Sequence, residues 1–134
     1  MIEGSCHCGA VRWRFDGMPD SATACNCTVC RRYGTLWAYG MAGEQIAVSG
    51  VTRTYVRGDV RDVVPLAFHF CPACGCVAYW RPEDSGGDDR RRMGVNLRLA
   101  DPDVVAAIGL KHLDGFDTWE TRPRPAQCVA DMWF

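Results

Sequence analysis

Eight of the nine cysteines stand in three tight clusters: Cys6-His7-Cys8, Cys25-Asn26-Cys27-Thr28-Val29-Cys30 and Cys71-Pro72-Ala73-Cys74-Gly75-Cys76. Thiolates one or two residues apart converge on one metal ion. As disulfides they pair poorly, because the loops they would close are tiny and strained. Seven or eight sulfur ligands exceed one tetrahedral shell and suit two zinc ions. The chain is therefore expected to fold around metal, and what remains open is whether both sites are closed or one keeps a position for chemistry.

The rest of the sequence fits a small soluble globule. At 134 residues it reads as a single zinc-binding domain over 1–134, with one modest core. The formal charge is -1; seven thiolates holding two divalent ions would take it to about -4. Such a balance is no counterpart for a phosphate backbone, so no nucleic-acid partner is expected. Met1-Ile2-Glu3-Gly4-Ser5 shows neither a basic nor an apolar leader segment, and no apolar run approaches a bilayer span. A cytoplasmic protein without membrane contact is expected, in a compartment that keeps thiols reduced.

Alternating or β-branched and aromatic runs predict strands at Val11 to Phe15, Leu36 to Met41, Ile46 to Val48, Arg53 to Arg57, Leu66 to Phe70, Val77 to Trp80 and Met93 to Leu97. Glycine and proline punctuate the gaps, the pattern of an antiparallel β protein with short connections. Arg81 to Arg92 reads as a solvated polar loop. Asp101 to Ile108 is the best helix candidate, with Asp101 as N-cap, Pro102 in the first turn and Gly109 as the stop. The tail from Leu110 reads as loop-rich, its Phe116, Trp119, Trp133 and Phe134 packing back onto the body.

Cys71-Pro72-Ala73-Cys74-Gly75 supplies half a tetrahedral site locally, and the Cys6 and Cys8 pair is its natural complement. That zinc would clamp distant segments. Cys25, Cys27 and Cys30 give three ligands, the number of a catalytic zinc. The alternative is a closed site with Cys76, Cys128 or His7 as fourth ligand, and spacing leaves both readings standing. Cys76 also reads as a small buried strand residue, Cys128 as packing, and His69 and His112 as structural histidines. Arg31 and Arg32 follow the middle cluster, where guanidinium groups could hold a substrate carboxylate; a solvated basic pair is the plainer reading. Tyr33, Trp37 and Tyr39 could wall a pocket or fill the core.

The ordered motifs Gly4-Ser5-Cys6-His7-Cys8-Gly9-Ala10-Val11, then Cys25 to Arg32, then Cys71-Pro72-Ala73-Cys74-Gly75 closely resemble the glutathione-dependent formaldehyde-activating enzyme family, which also contains a centromere-associated protein of animals. The resemblance implies a mainly β, Mss4-like tent of short antiparallel sheets built around zinc, with one short helix near the C-terminal part. It implies a structural zinc at Cys6, Cys8, Cys71 and Cys74 and a second, catalytic zinc at Cys25, Cys27 and Cys30. Cys76 departs from the pattern. The implied activity is that of a carbon–sulfur lyase on thiol–aldehyde adducts such as S-hydroxymethylglutathione, with a thiol and an aldehyde as partners. Arg31, Arg32, Tyr33 and Trp37 are the candidate substrate-binding residues. The alternatives are a non-catalytic thiol carrier and a zinc-stabilised interaction module.

Overall fold

The computed structural model describes residues 1–61, 63–83, 91–125 and 127–132. The strands among them form two sheets. A three-stranded antiparallel sheet has the order β1-β2-β5, from β1 (Ile2–Ser5), β2 (Arg12–Phe15) and β5 (Ile46–Ser49). A longer sheet takes the other eight strands: β3 (Ala22–Cys25), β4 (Leu36–Met41), β6 (Arg53–Val56), β7 (Leu66–Phe70), β8 (Val77–Pro82), β9 (Arg92–Asn96), β10 (Leu110–Leu113) and β11 (Thr121–Arg122). Its order is β11-β10-β3-β4-β9-β8-β7-β6.

Period-two alternation sets the two cores. Along β2, Trp13 and Phe15 are buried while Arg12 and Arg14 face water. With Ile2 and Ile46 they meet Leu36, Ala38, Met93, Val95 and Tyr79 of the long sheet, forming the main core. The alternate residues of β4 point the other way. Trp37 and Phe68 centre a second, aromatic core on the opposite face, shared with Cys27, Val29, Cys30 and Val77. In each sheet a tryptophan lies over its cross-strand glycine: Trp13 over Gly4 and Trp80 over Gly94. A Cβ at either glycine would come within 2.3 Å of the indole.

All seven predicted strand runs form strands, with ends moved by a few residues. The expected helix starts where its signals place it. Asp101 Oδ1 accepts from Asp103 N at 2.9 Å, and α2 (Pro102–Val105) follows with proline in its first turn. It ends earlier than Gly109, after one turn.

Other features differ from the expectation, among them β1 and β3, which no predicted run covers. A one-turn helix, α1 (Cys30–Tyr33), opens at the third cysteine of the middle cluster and closes on Gly34 in the left-handed region, φ 63°. The tail is less loop-like than expected, because Leu110–Leu113 adds to β3, and does so in parallel, in an otherwise antiparallel sheet. No hairpin dictates the direction of strands so far apart in sequence, and β4 already occupies the other edge of β3. The tail returns to the core through Ile108 and Val129, which are buried, rather than through its aromatics: Phe116 is 71% exposed and Trp119 51%. Trp133 and Phe134 lie outside the described residues, as do 84–90 of the run expected as a polar loop from Arg81 to Arg92; the ends of that run are not loop, since Arg81 and Pro82 extend β8 and Arg92 opens β9. No helix among the described residues is long and apolar enough to cross a membrane.

Candidate metal centres

All nine cysteines are unpaired, and seven gather in two groups: Cys6, Cys8, Cys71 and Cys74, and Cys25, Cys27 and Cys30. Within each group the sulfurs lie within 4.8 Å of one another. Tetrahedral Zn–S bonds of about 2.3 Å set sulfurs about 3.8 Å apart, so both groups fit zinc in spacing and in donor type.

The four-sulfur centre is made by two turns. One follows β1, where Gly9 N donates to Cys6 O at 2.8 Å and Gly9 takes φ 78°. The other joins β7 to β8, where Gly75 N donates to Cys71 O at 2.9 Å and Gly75 takes φ 76°. Cys6 and Cys8 sulfurs are 3.6 Å apart, and Cys8 and Cys71 3.5 Å. Backbone N–H groups favour the thiolates: Val11 N donates to Cys6 Sγ at 3.2 Å. The Cys74 thiol is brought down to about 5, chiefly by the backbone N–H groups of Cys76 and Cys8. The backbone N–H of Ala10 favours the Cys8 thiolate too, but the Cys71 and Cys6 sulfurs outweigh it and push this thiol up to about 12. Four sulfurs this close hold negative charge unequally until a divalent ion replaces their protons. Because the two turns belong to different sheets, the centre ties one sheet to the other.

The three-sulfur centre is local. Cys25 ends β3, Cys27 sits in the turn, and Cys30 begins α1. Cys27 N donates to Cys25 Sγ and Cys30 N to Cys27 Sγ, each at 3.4 Å. Two side chains then bring donors from outside the turn. Trp37 Nε1 donates to Cys30 Sγ at 3.2 Å. Arg57 Nη1 donates to Cys27 Sγ at 3.6 Å, from a side chain only 7% exposed. Asp59 grips that guanidinium, with Nε–Oδ1 at 2.9 Å and Nη2–Oδ2 at 3.1 Å, and Thr28 Oγ1 accepts from Nη2 at 3.2 Å. The Arg57 and Thr28 donors hold the Asp59 carboxyl down to about 2. Hydrogen bonds from the Cys25 and Cys30 thiols lower the Cys27 thiol, while sharing with Cys25 and Cys27 raises that of Cys30.

A loop covers the sulfurs. A Cβ at Gly115 would lie 2.7 Å from Cys25 Sγ and 2.8 Å from Cys27 Cβ, with the Trp119 ring at 3.4 Å. Only glycine admits the backbone this close. The buried Asp114 organises the loop: it accepts from Asn26 Nδ2 at 3.3 Å, Asp117 N at 3.3 Å, Thr118 Oγ1 at 3.3 Å and Arg122 Nε at 2.8 Å. Asn26, between two of the cysteines, accepts at its Oδ1 from Phe116 N at 3.0 Å.

Among the described residues no fourth cysteine, histidine or carboxylate joins Cys25, Cys27 and Cys30; Cys76, Cys128 and His7 do not. Cys76 stands outside the four-sulfur group as well. His69 stacks on Tyr79, ring centres 4.3 Å apart, and pairs with Thr52 at 2.9 Å; His112 pairs with Gln127 at 2.7 Å. Arg31 and Arg32 are exposed on α1, and Arg32 Nη1 donates to Thr28 O at 2.7 Å. Tyr33 packs on Phe68 at 5.6 Å between ring centres. The cation brought to the sulfurs is Arg57, which sequence reasoning missed, together with Asp59 and Gly115. The turn-forming Arg57-Gly58-Asp59 and Asp114-Gly115 were visible in the sequence, but nothing there linked them to the cysteines.

Residues 1–102 match the family of glutathione-dependent formaldehyde-activating enzymes. A curated protein of Halomonas elongata, whose name assigns it provisionally to those enzymes, is 33% identical over 87 residues, covering 60% of this chain and 55% of the relative. The chain thus spans about half the length of that relative. A crystal structure of a Rhodobacter sphaeroides protein shares the fold, with TM-score 0.56 and 24% identity over 81% of this chain and 98% of the other. The cysteine order, the mainly β architecture and the match over three-quarters of the chain agree: the chain belongs to the glutathione-dependent formaldehyde-activating enzyme family.

Proposed function

We propose that the chain is one zinc-binding domain that makes or breaks the carbon–sulfur bond of a thiol–aldehyde adduct, S-hydroxymethylglutathione being the simplest candidate. The observation that carries this reading is the contrast in sulfur number. Cys6, Cys8, Cys71 and Cys74 complete a tetrahedral set, whereas Cys25, Cys27 and Cys30 leave one position for a substrate thiol. Each group would hold one zinc ion, two per chain. At the three-sulfur centre a bound zinc would supply Lewis acidity that favours the thiolate form of a substrate thiol.

The chain's residues act around that chemistry. Trp37 and Arg57 offset thiolate charge at two different sulfurs, Cys30 and Cys27. The loop at Gly115 packs its backbone against Cys25 and Cys27. In the synthetic direction sulfur bonds to the aldehyde carbon, the C=O π bond breaks, and the thiol proton ends on the new hydroxyl. The reverse restores both partners. A cytoplasmic, reducing setting suits seven free thiolates.

Cobalt in place of zinc tests the reading, because thiolate–cobalt absorption responds to a fourth ligand. Addition of glutathione should change the spectrum of the three-sulfur centre. The zinc protein should also interconvert S-hydroxymethylglutathione and its parts faster than the uncatalysed background. A thiol response without turnover would leave a carrier. A spectrum indifferent to every thiol would leave an interaction module.

A further inference from the structure

The face of the long sheet that carries Cys25 runs on from the sulfurs into a cleft of about 530 Å³, within the roughly 300–1,000 Å³ of small-molecule sites. Thr23 lines it, two residues before Cys25 on β3, so both side chains leave the strand on one side. Leu113 lines it too and is the register partner of Cys25. Tyr39 and Trp80 form a wall. Both pack, as Cys25 does, against the aromatic core of Trp37, Phe68 and Cys30. Cleft and sulfur centre are thus neighbours on one face, sharing the β3–β10 pair and that core.

The charges around the cleft form a pattern. The Arg92 guanidinium lies over the Tyr39 ring, 4.5 Å from its centre, which fixes its direction. Lys111 lines the cleft from β10, and Asp20 stands just before β3. Two cations and one carboxylate complement a ligand with two carboxylates and one ammonium group, the charge set of a γ-glutamyl tripeptide such as glutathione. Thr23 and Tyr39 add hydroxyl groups between them.

We propose that this cleft seats the peptide part of the substrate. Arg92 and Lys111 pair with the two carboxylates and Asp20 with the ammonium group of a glutathione-like thiol, whose sulfur reaches Cys25, Cys27 and Cys30 past Leu113. The assignment rests on the thiol-binding reading of that centre. It places the carboxylate-binding cations on β9 and β10 rather than at Arg31 and Arg32.

S-methylglutathione keeps both carboxylates and the ammonium group but has no free thiol, so its binding reads the cleft apart from the sulfurs. Calorimetry on the zinc-loaded full chain should show binding that weakens with added salt. The double variant Arg92→Gln/Lys111→Gln should lose about tenfold in affinity, as two solvent-accessible charge pairs allow, with its zinc content unchanged. Arg31→Gln/Arg32→Gln should stay within about twofold. No binding to the wild-type protein, unchanged affinity in the Arg92 and Lys111 variant, or a larger loss in the Arg31 and Arg32 variant would each overturn the assignment. Cobalt titration with 2-mercaptoethanol reads the centre alone. A response there without binding of S-methylglutathione removes the cleft and spares the thiol centre. Cleft binding that depends on Arg92 and Lys111, with no thiol response, supports the cleft and removes the thiol-binding reading.

Discussion

The four-sulfur centre gathers its ligands from turns in two sheets, Cys8 and Cys71 standing 63 positions apart. The three-sulfur centre takes all of its ligands from Cys25 to Cys30. The first is braced by backbone N–H groups of its own turns. The second draws on distant side chains, Trp37 and Arg57, and on a covering loop at Gly115. A centre that only holds the fold needs its sulfurs fixed and nothing more. One that exchanges a ligand must also control the charge and space around them, and this difference in surroundings separates the two as much as sulfur number does.

The sharpest way to break the comparison is to remove one ligand from each centre. Cys71→Ser should abolish the folded state, since structural zinc sites contribute on the order of 10 kcal/mol of apparent folding free energy. Cys27→Ser should stay folded and carry one zinc instead of two. Thermal melts with elemental analysis read both variants, and a Cys71→Ser protein that melts like wild type would reverse the two roles.

Gly115→Ala probes the covering loop. Its new Cβ would meet Cys25 Sγ at 2.7 Å, an overlap that costs about 1–3 kcal/mol when the surroundings must shift. The loss should fall on zinc at the three-sulfur centre and leave the other ion bound; equal loss from both would show that the loop serves the whole fold.

Arg57→Gln should weaken zinc at the three-sulfur centre by about 10- to 100-fold, the usual effect of removing a partner that supports a metal ligand. It should also free Asp59. The folded carboxyl is held down to about 2, so the contribution of the pair is complete above the ordinary aspartate value near 4 and is lost as pH falls toward 2. In the variant the NMR titration of Asp59 should move up toward about 4. An unchanged midpoint would mean that Thr28 alone holds it.

The smallest effects are expected at Cys76→Ser and Cys128→Ser, since neither sulfur joins a group. Both variants should keep two zinc ions by elemental analysis, and loss of one would redraw a ligand set.

Much of the fold was legible because its signals are local. Leu36–Met41 and Leu66–Phe70 form strands within their predicted ends, and Asp101-Pro102 starts its helix as capping chemistry dictates. Both sulfur groups could be read for the same reason, each turn supplying its ligands at fixed short spacing. Leu110–Leu113 could not, because four residues with apolar ends carry little periodicity and its partner β3 lies far back in the chain. Arg57 escaped for a related reason: an arginine closing a predicted strand run looks solvated until the fold buries it against Cys27.

The spacing of the clusters also sets a clock. On a growing chain the Cys25–Cys30 stretch leaves the ribosome complete, whereas the pair at Cys6 and Cys8 must wait for Cys71 and Cys74. About 44 residues separate Cys30 from Cys74, a delay of about 2–9 s at ordinary synthesis rates. The three-sulfur turn is thus complete before the four-sulfur set can assemble, with Gly115 and its loop still to come. An ion taken up at that stage would meet the bare turn, before the tertiary surroundings form around it.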